Sequence, residues 1–333
     1  MLLGHKSLLR KFACFPLFSG SIFFEKGLKI GSFPFLSRLV ESGLLIFSFD
    51  EEALMQTDFD SYLRFNHESS VRSLITGIFS WGLLHSRLLN YAGYRDDQIL
   101  HTGNPRFDNF ILNQSSTSPS SGYILICSRF ASANPASKGK SSVLPRDGSD
   151  KYIQDSQKIL HSLLNLPSSL RASGISLPII VRPHPSESHE LWLKATEHLD
   201  NVLVSSQGDI SDVLAKACLV IHNRCTTGLQ AFLSNTPVIS YEPFPLDEPP
   251  NPPLDLFRAF SHCICTSDHE LSIHIRSGKI FTSNPTVDSS LSDSFLYNIR
   301  DGASSSICYH LSCLQFRPFN HPVILILLFF FYS

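Results

Sequence analysis

The sequence predicts an α/β protein built from doubly wound parallel sheets, and three observations predict it. Short apolar runs alternate with amphipathic stretches through most of the chain, the pattern in which strand–helix–strand crossovers build a parallel sheet. Two polar corners, Arg182-Pro183-His184-Pro185-Ser186-Glu187 and His222-Asn223-Arg224-Cys225, each follow an apolar strand. Right-handed crossovers place all such strand-to-helix corners on one edge of a sheet. Finally, residues 113–122 are mostly Ser, Thr, Asn, Gly and Pro, which is linker composition. The expected domains are therefore 1–112 and 123–303, with 304–333 as an atypical apolar tail.

The elements follow in order. Lys6, Arg10 and Lys11 precede an apolar stretch over 12–24, the order found in a secretory signal. Pro16, Gly20 and several serines interrupt it, and Glu25-Lys26 follows at once, so an ordinary buried segment is the better reading. A helix is expected to stop on Gly43, followed by a buried strand over 44–49 that ends in Asp50, Glu51 and Glu52. Carboxylates in that position either act as general bases or compensate the dipole of the next helix. The apolar run 74–79 leads into Ser80-Trp81-Gly82, and 101–108 packs Gly, Asn and Pro into one tight corner suited to a crossover between domains. At that corner, beside Asn104, Arg106 either meets a phosphate or pairs with Asp108 to hold the turn.

In the second half a strand over 123–127 leads into Ser128-Arg129-Phe130 and a long polar loop over 131–148, of a length that is often functional. Helices are expected over 149–166, 188–199 and 209–217, the last capped by Asp209. Strands are expected over 177–181, 202–204, 220–221, 238–241 and 263–265, with helices opening at Thr226 and Asp268. The helix from Thr226 stops at Asn235-Thr236-Pro237, because Asn tolerates a left-handed cap and Pro bars continuation. A proline-rich loop over 243–253 would wall one side of a cleft.

Composition excludes several classes. With 333 residues, a net charge of -2 and 43% hydrophobic residues, the chain is globular and lacks the basic stripe of a nucleic-acid binder. The 8 cysteines include no CxxC pair; Cys263 and Cys265 have the spacing of one strand face. Reduced thiols in the cytoplasm are the simplest reading, with no zinc framework and no disulfide scaffold. Residues 323–332 are continuously apolar but cover about half of a bilayer-crossing helix. That run is a membrane-contacting tail, a buried strand or the product of a shifted reading frame.

The chemistry concentrates at the two corners. A helix leaves its first N–H groups without intrahelical partners and carries partial positive charge there, so its N-terminus attracts phosphate. Thr226 and Thr227 add hydroxyls, and Gly228 removes a side chain that would hold an anion away. For that corner alone, Thr226 as a plain N-cap is the competing reading. The other corner favours a ligand: Arg182 offers a fork of donors, His184 hydrogen-bonds phosphate or carries a proton near neutral pH, and two prolines fix the backbone. Glu187 and Glu242 are placed to accept from ribose or sugar hydroxyls, with Glu187 equally explained as a cap partner. Donors at two corners and an acid at a third fit a nucleoside diphosphate better than a metal, for which no ligand spacing is present.

The runs Thr102-Gly103-Asn104-Pro105-Arg106-Phe107-Asp108, Arg182-Pro183-His184-Pro185-Ser186-Glu187, and Ile221-His222-Asn223 through Cys225-Thr226-Thr227-Gly228 to Pro237-Val238-Ile239-Ser240-Tyr241 resemble bacterial surface carbohydrate biosynthesis proteins. These act in lipopolysaccharide or capsule assembly and have GT-B glycosyltransferase-like architecture. More distantly, the arrangement is similar to CDP-glycerol glycerophosphotransferases and UDP-GlcNAc 2-epimerases, and the likeness covers roughly residues 1–260. The resemblance implies two Rossmann-like domains facing across a cleft, the first lacking its initial strand and helix. It implies a transferase that moves a sugar or polyol-phosphate from a nucleotide-sugar or CDP-polyol donor to a lipid-linked or glycan acceptor. An epimerase acting on the same donor and a non-catalytic scaffold are the alternatives. Carried over to this chain, Arg129, Arg182, His184, Ser186, His222, Asn223, Thr226, Thr227 and Gly228 would face the donor phosphates, and Glu187 and Glu242 the ribose or sugar. Glu25 and Asp50, with His184, are the catalytic candidates. No metal or cofactor is expected, and the location implied is cytoplasmic, with peripheral contact at the inner membrane.

Overall fold

In the computed structural model the described residues are 22–25, 28, 31–50, 53–55, 63, 66–112, 122–136, 150–244, 252–281, 294–297 and 302–313. Residues 113–121 of the expected linker 113–122, the inner polar loop 137–149, most of the proline-rich loop, Glu51, Glu52 and the apolar run 323–332 lie outside them. The chain divides into two compact units, Met1–Asp108 with Asp288–Ser333, and Asn109–Val287.

The first unit holds β1 (Ile22–Glu25), β2 (Leu45–Phe49), β3 (Gly77–Ser80) and β4 (Ile99–His101), joined by α1 (Phe33–Glu41), α2 (Ser69–Arg72) and α3 (Leu83–Tyr91). All the strands are parallel and lie in the order β1-β2-β3-β4. Each new strand is added on the same side, so the winding does not reverse among the described strands. Helix α1 gives way to Ser42-Gly43, where Gly43 takes φ 80, a value a side chain would strain. Gly77 admits the ring of Phe47, since a Cβ there would lie 2.7 Å from Phe47 Cε1. Phe47 then stacks on Phe79 with ring centres 5.7 Å apart.

Helix α4 (Asp108–Leu112) leads to the second unit. Its strands are β5 (Tyr123–Cys127), β6 (Ile179–Arg182), β7 (Val202–Val204), β8 (Ala217–His222), β9 (Val238–Tyr241) and β10 (Cys263–Cys265). Between and after them run α5 (Asp150–Ala172), α6 (Glu190–Thr196), α7 (Ile210–Leu214), α8 (Thr226–Leu233), α9 (Pro252–Ala259) and α10 (Asp268–Arg276). The sheet is parallel throughout, in the order β10-β9-β8-β5-β6-β7. The winding runs outward from β5 to β7, returns across the sheet to β8, and continues the other way to β10. Open α/β sheets take ligands in the crevice beyond the carboxyl ends of the strands where the winding reverses, which here are β5 and β8. Register brings those ends level: Cys127 pairs with both Arg182 and His222, and His222 with Ser240.

Burial explains where the elements depart from expectation. Every residue of β8 is buried, and the strand begins at Ala217, so the helix expected over 209–217 ends at Leu214. Asp209 caps that helix as expected, its Oδ1 accepting from the Ser211 N–H at 2.8 Å. Helix α5 was expected to end near Leu166 but runs through Pro167 to Ala172. Leu166 and Leu170 are fully buried in the same core as Ile124, Ile126, Val181, Leu219 and Ile221, and that burial outweighs the backbone bond lost at proline.

The last described helix, α11 (Ala303–Ser312), groups with the first unit, although the sequence pattern had set 304–333 apart as a tail. Asp108 caps it across the unit, its two oxygens accepting from the Ala303 and Ser304 N–H groups at 2.8 Å each. Gly82 and Gly103 admit the returning chain: a Cβ on Gly103 would lie 2.3 Å from the Tyr297 carbonyl oxygen, and one on Gly82 2.4 Å from the Phe295 carbonyl carbon. The corner over 101–108, expected at a domain crossover, ends where the first unit gives way to the second at Asp108, and it also receives the chain returning to the first unit. Asn104 closes its own turn there by accepting the Arg106 N–H at 3.0 Å. No helix among the described residues is long and apolar enough to cross a membrane.

Candidate functional site

At the end of β8 the chain turns into α8 within His222-Asn223-Arg224-Cys225. Arg224 adopts φ 50, a left-handed conformation that costs about 1 kcal/mol or more for a residue with a side chain. The turn delivers Cys225 as the N-cap of α8, and the Cys225 side chain makes no capping bond. The first N–H groups of α8 therefore open on the crevice between β5 and β8 without a side-chain cap. Thr226 and Thr227 are half-buried there; at the end of β5, burial pushes the pKa of the Cys127 thiol up, and the neighbouring Thr227 hydroxyl opposes that rise.

Arg129 closes the corner from the β5 side. Its Nε donates to the Asn223 carbonyl oxygen at 2.9 Å, and its guanidinium lies 5.3 Å from the centre of the Phe130 ring. This bond crosses the switch point and holds a cation beside the start of α8. The Asn223 amide donates to the Tyr241 carbonyl at 2.8 Å, which fixes the orientation of the amide. Its Oδ1 is buried without a partner among the described residues, an acceptor that a bound water or ligand donor would satisfy.

The corner after β6 is exposed at His184 and Ser186. The Ser186 N–H donates to His184 Nδ1 at 3.2 Å, so the hydrogen sits on Nε2, which is left to donate outward. The polar loop after β5 is pinned to this same corner, with Asn134 donating to the Ser188 carbonyl at 2.8 Å and Ala136 N–H to Ser186 at 2.9 Å.

Other expected ligand residues have structural roles instead. Glu187 is buried and saturated: its carboxylate accepts from Ser128 Oγ (2.8 Å), the Phe130 N–H (2.7 Å), the His184 N–H (3.3 Å) and Trp192 Nε1 (3.4 Å). It braces the β5 corner against the β6 corner and offers nothing to a ribose. Glu242 is also taken, by Ser240 Oγ at 3.0 Å and by Arg258 in a fork whose shortest arm is 2.6 Å. Arg182 turns to the loop before α7 and donates to the Gln207 and Gly208 carbonyls at 2.7 and 2.9 Å.

His222 is fully buried between the Cys225 N–H (3.3 Å) and Ser261 Oγ (3.2 Å). Burial, helped by the nearby Arg129 charge, lowers its pKa to about 3, so it stays neutral. Gly228 makes room for this imidazole and not for an anion: a Cβ there would lie 2.4 Å from His222 Cδ2 and Nε2. Of the catalytic candidates, Asp50 is buried at the end of β2, where its carbonyl accepts from Trp81 Nε1 at 2.6 Å. Glu25 ends β1 beside it, paired in register with Ser48, and its side chain lies outside the described residues.

The corner thus brings together Arg129, Asn223, Thr226 and Thr227, with His184 and Ser186 at the neighbouring strand end. Sequence reasoning missed Cys127, Ser128 and Arg258. Ser128 and Cys127 adjoin Arg129 and were within reach of the same argument, whereas Arg258 follows the proline-rich loop and has no local signal.

No family model matches the sequence, and no curated protein matches it. Among solved structures the chain is similar to Methanocaldococcus jannaschii UDP-GlcNAc 2-epimerase in complex with UDP-GlcNAc and UDP, with a TM-score of 0.54 and 11% identity over 88% of this chain and 75% of that one. It is also similar to UDP-GlcNAc 2-epimerase from Neisseria meningitidis bound to UDP-GlcNAc, with a TM-score of 0.55 and 10% identity over 87% of this chain and 76% of that one. At such identities the likeness establishes the fold: an α/β protein of two Rossmann-like parallel-sheet units, the GT-B-like class expected from the sequence.

Proposed function

We propose that this chain is a nucleotide-sugar enzyme of surface-glycan assembly that holds its donor's diphosphate at the β5–β8 switch point of the second unit. The observation that carries the reading is the uncapped start of α8 beside Arg129 at that point. The Thr226 and Thr227 N–H groups and hydroxyls would bind phosphate oxygens, Arg129 would neutralise them, and His184 Nε2 would add a donor from the next strand end. As the donor bond breaks, negative charge grows on the departing phosphate oxygen, and donors already aimed there stabilise it without reorganising.

In transfer, the acceptor hydroxyl loses its proton to a base and attacks the donor's reacting atom as the nucleoside diphosphate or monophosphate leaves. Asp50 and Glu25, at the carboxyl ends of adjacent strands in the first unit, are proposed for the base. The acceptor is proposed to be a lipid-linked or growing glycan met at the cytoplasmic side of the inner membrane. A second reading, epimerisation of a UDP-sugar, is favoured by the solved structures that share the fold.

One experiment separates the two readings. The purified chain is incubated with UDP-, CDP- and GDP-activated donors, with and without a membrane fraction as acceptor. Nucleotide release that requires acceptor supports transfer, whereas donor conversion without acceptor supports epimerisation. Nucleotide binding with neither outcome points to the scaffold alternative, and failure to bind any donor contradicts all three.

A further inference from the structure

The second unit carries a cluster that the nucleotide site does not use. Edge strand β10 presents Cys263 and Cys265 on one face, as residues two apart on a strand must, and α10 packs back over that face with His274. The two sulfurs are 4.0 Å apart, and both lie with a ring nitrogen of His274 within 4.8 Å of one another. Around a tetrahedral zinc ion, with Zn–S about 2.3 Å and Zn–N about 2.0 Å, neighbouring ligand atoms stand about 3.5–3.8 Å apart. The sulfur pair is already near that separation, and a side-chain rotation brings in the imidazole.

The donors are soft, two thiols and an imidazole, which suits zinc-class or cuprous ions and not magnesium or calcium. Cys265 is fully buried while Cys263 and His274 are half-buried, so one side of the cluster opens to solvent, where a fourth position would take water. Strand alternation alone explains two cysteines on one face. It does not explain a histidine on the covering helix at the same spot, beside the buried Leu271 and Ile275.

We propose that Cys263, Cys265 and His274 bind one thiophilic metal ion of the zinc class and so clamp α10 onto the edge strand. Two metal–sulfur bonds form as two thiol protons pass to solvent, and the imidazole binds as the neutral ring, so no oxidant or reductant is needed.

The test is cobalt titration of the full chain under reducing conditions, followed by zinc displacement. The expected result is one equivalent of Co2+ with thiolate charge-transfer and tetrahedral visible bands, lost on adding Zn2+, and a raised unfolding temperature with metal. Cys263→Ser and His274→Gln, both at half-buried positions, should lower metal affinity about a hundredfold or more. Cys308→Ser, at an exposed position on α11, should leave it unchanged. Unfolding of the metal-free variants at the wild-type midpoint separates ligand loss from fold loss. Cobalt bound without a thiolate band, wild-type affinity in Cys263→Ser, or a Cys263–Cys265 disulfide found by mass spectrometry under the same conditions would overturn the proposal.

Discussion

At the scale of single residues, His222 and Gly228 behave as one object. The imidazole is buried against the first turn of α8, and the helix approaches it only because position 228 has no side chain. Gly228→Ala should therefore cost about 1–3 kcal/mol by overpacking, read as a lower urea midpoint with an unchanged slope. Glu187→Gln turns one carboxylate oxygen into an NH2 donor, which then faces either the Phe130 and His184 N–H groups or the Ser128 hydroxyl and the Trp192 ring N–H. It should cost about 1–3 kcal/mol in the same measurement. Burial also keeps His67 and His85 of the first unit neutral, His67 at about 4 and His85 at about 3, beside His222 at about 3 in the second. The unfolded chain takes up these protons below about 6.5, while the folded chain does not until about 4 or lower. Their contribution to stability is thus full above about 6.5 and lost progressively as pH falls toward about 4 for His67 and about 3 for His85 and His222. Urea midpoints should fall over that window, and less steeply in His222→Asn. These roles were not legible in the sequence, because Gly228, His222, Glu187 and Glu242 match ligand-binding residue types while their partners come from distant segments.

Elements were more legible than residues, and the reason is burial. Strands β5 and β8 are packed on both faces, so they read as continuous apolar runs. Turn chemistry also carried through: Gly43, Asn235 and Asp209 end or cap helices where their types suggest, with Asn235 at φ 62. Helix ends failed where tertiary contacts decided them, as at Pro167 inside α5. The cap on α11 is the clearest case of a long-range device, because Asp108 and Ala303 are far apart in sequence. Asp108→Ala should destabilise that helix by about 1–2 kcal/mol, seen as faster amide hydrogen exchange over 303–312 with little change in α8. Equal acceleration in both helices would contradict a local capping role.

For the whole molecule, the alternation of strands and helices carried the fold class, and the two polar corners follow β6 and β8, the strands that flank β5 in one parallel sheet. The strand order did not follow from the sequence, and it is the order that singles out β5 and β8 as the place where the winding reverses. It moves the emphasis of the candidate site from Arg182, Glu187 and Glu242 to Arg129, Asn223 and the start of α8. The central claim is that this corner binds a nucleoside diphosphate, and calorimetric titration of the full chain with UDP, CDP and GDP tests it most directly. One of them should bind at one site per chain, with affinity reduced about tenfold in Thr227→Val, equivalent to about 1.4 kcal/mol, and reduced further at high salt in the wild type. No heat of binding with any of the three, or equal affinity in Thr227→Val and Arg129→Ala, would contradict the account.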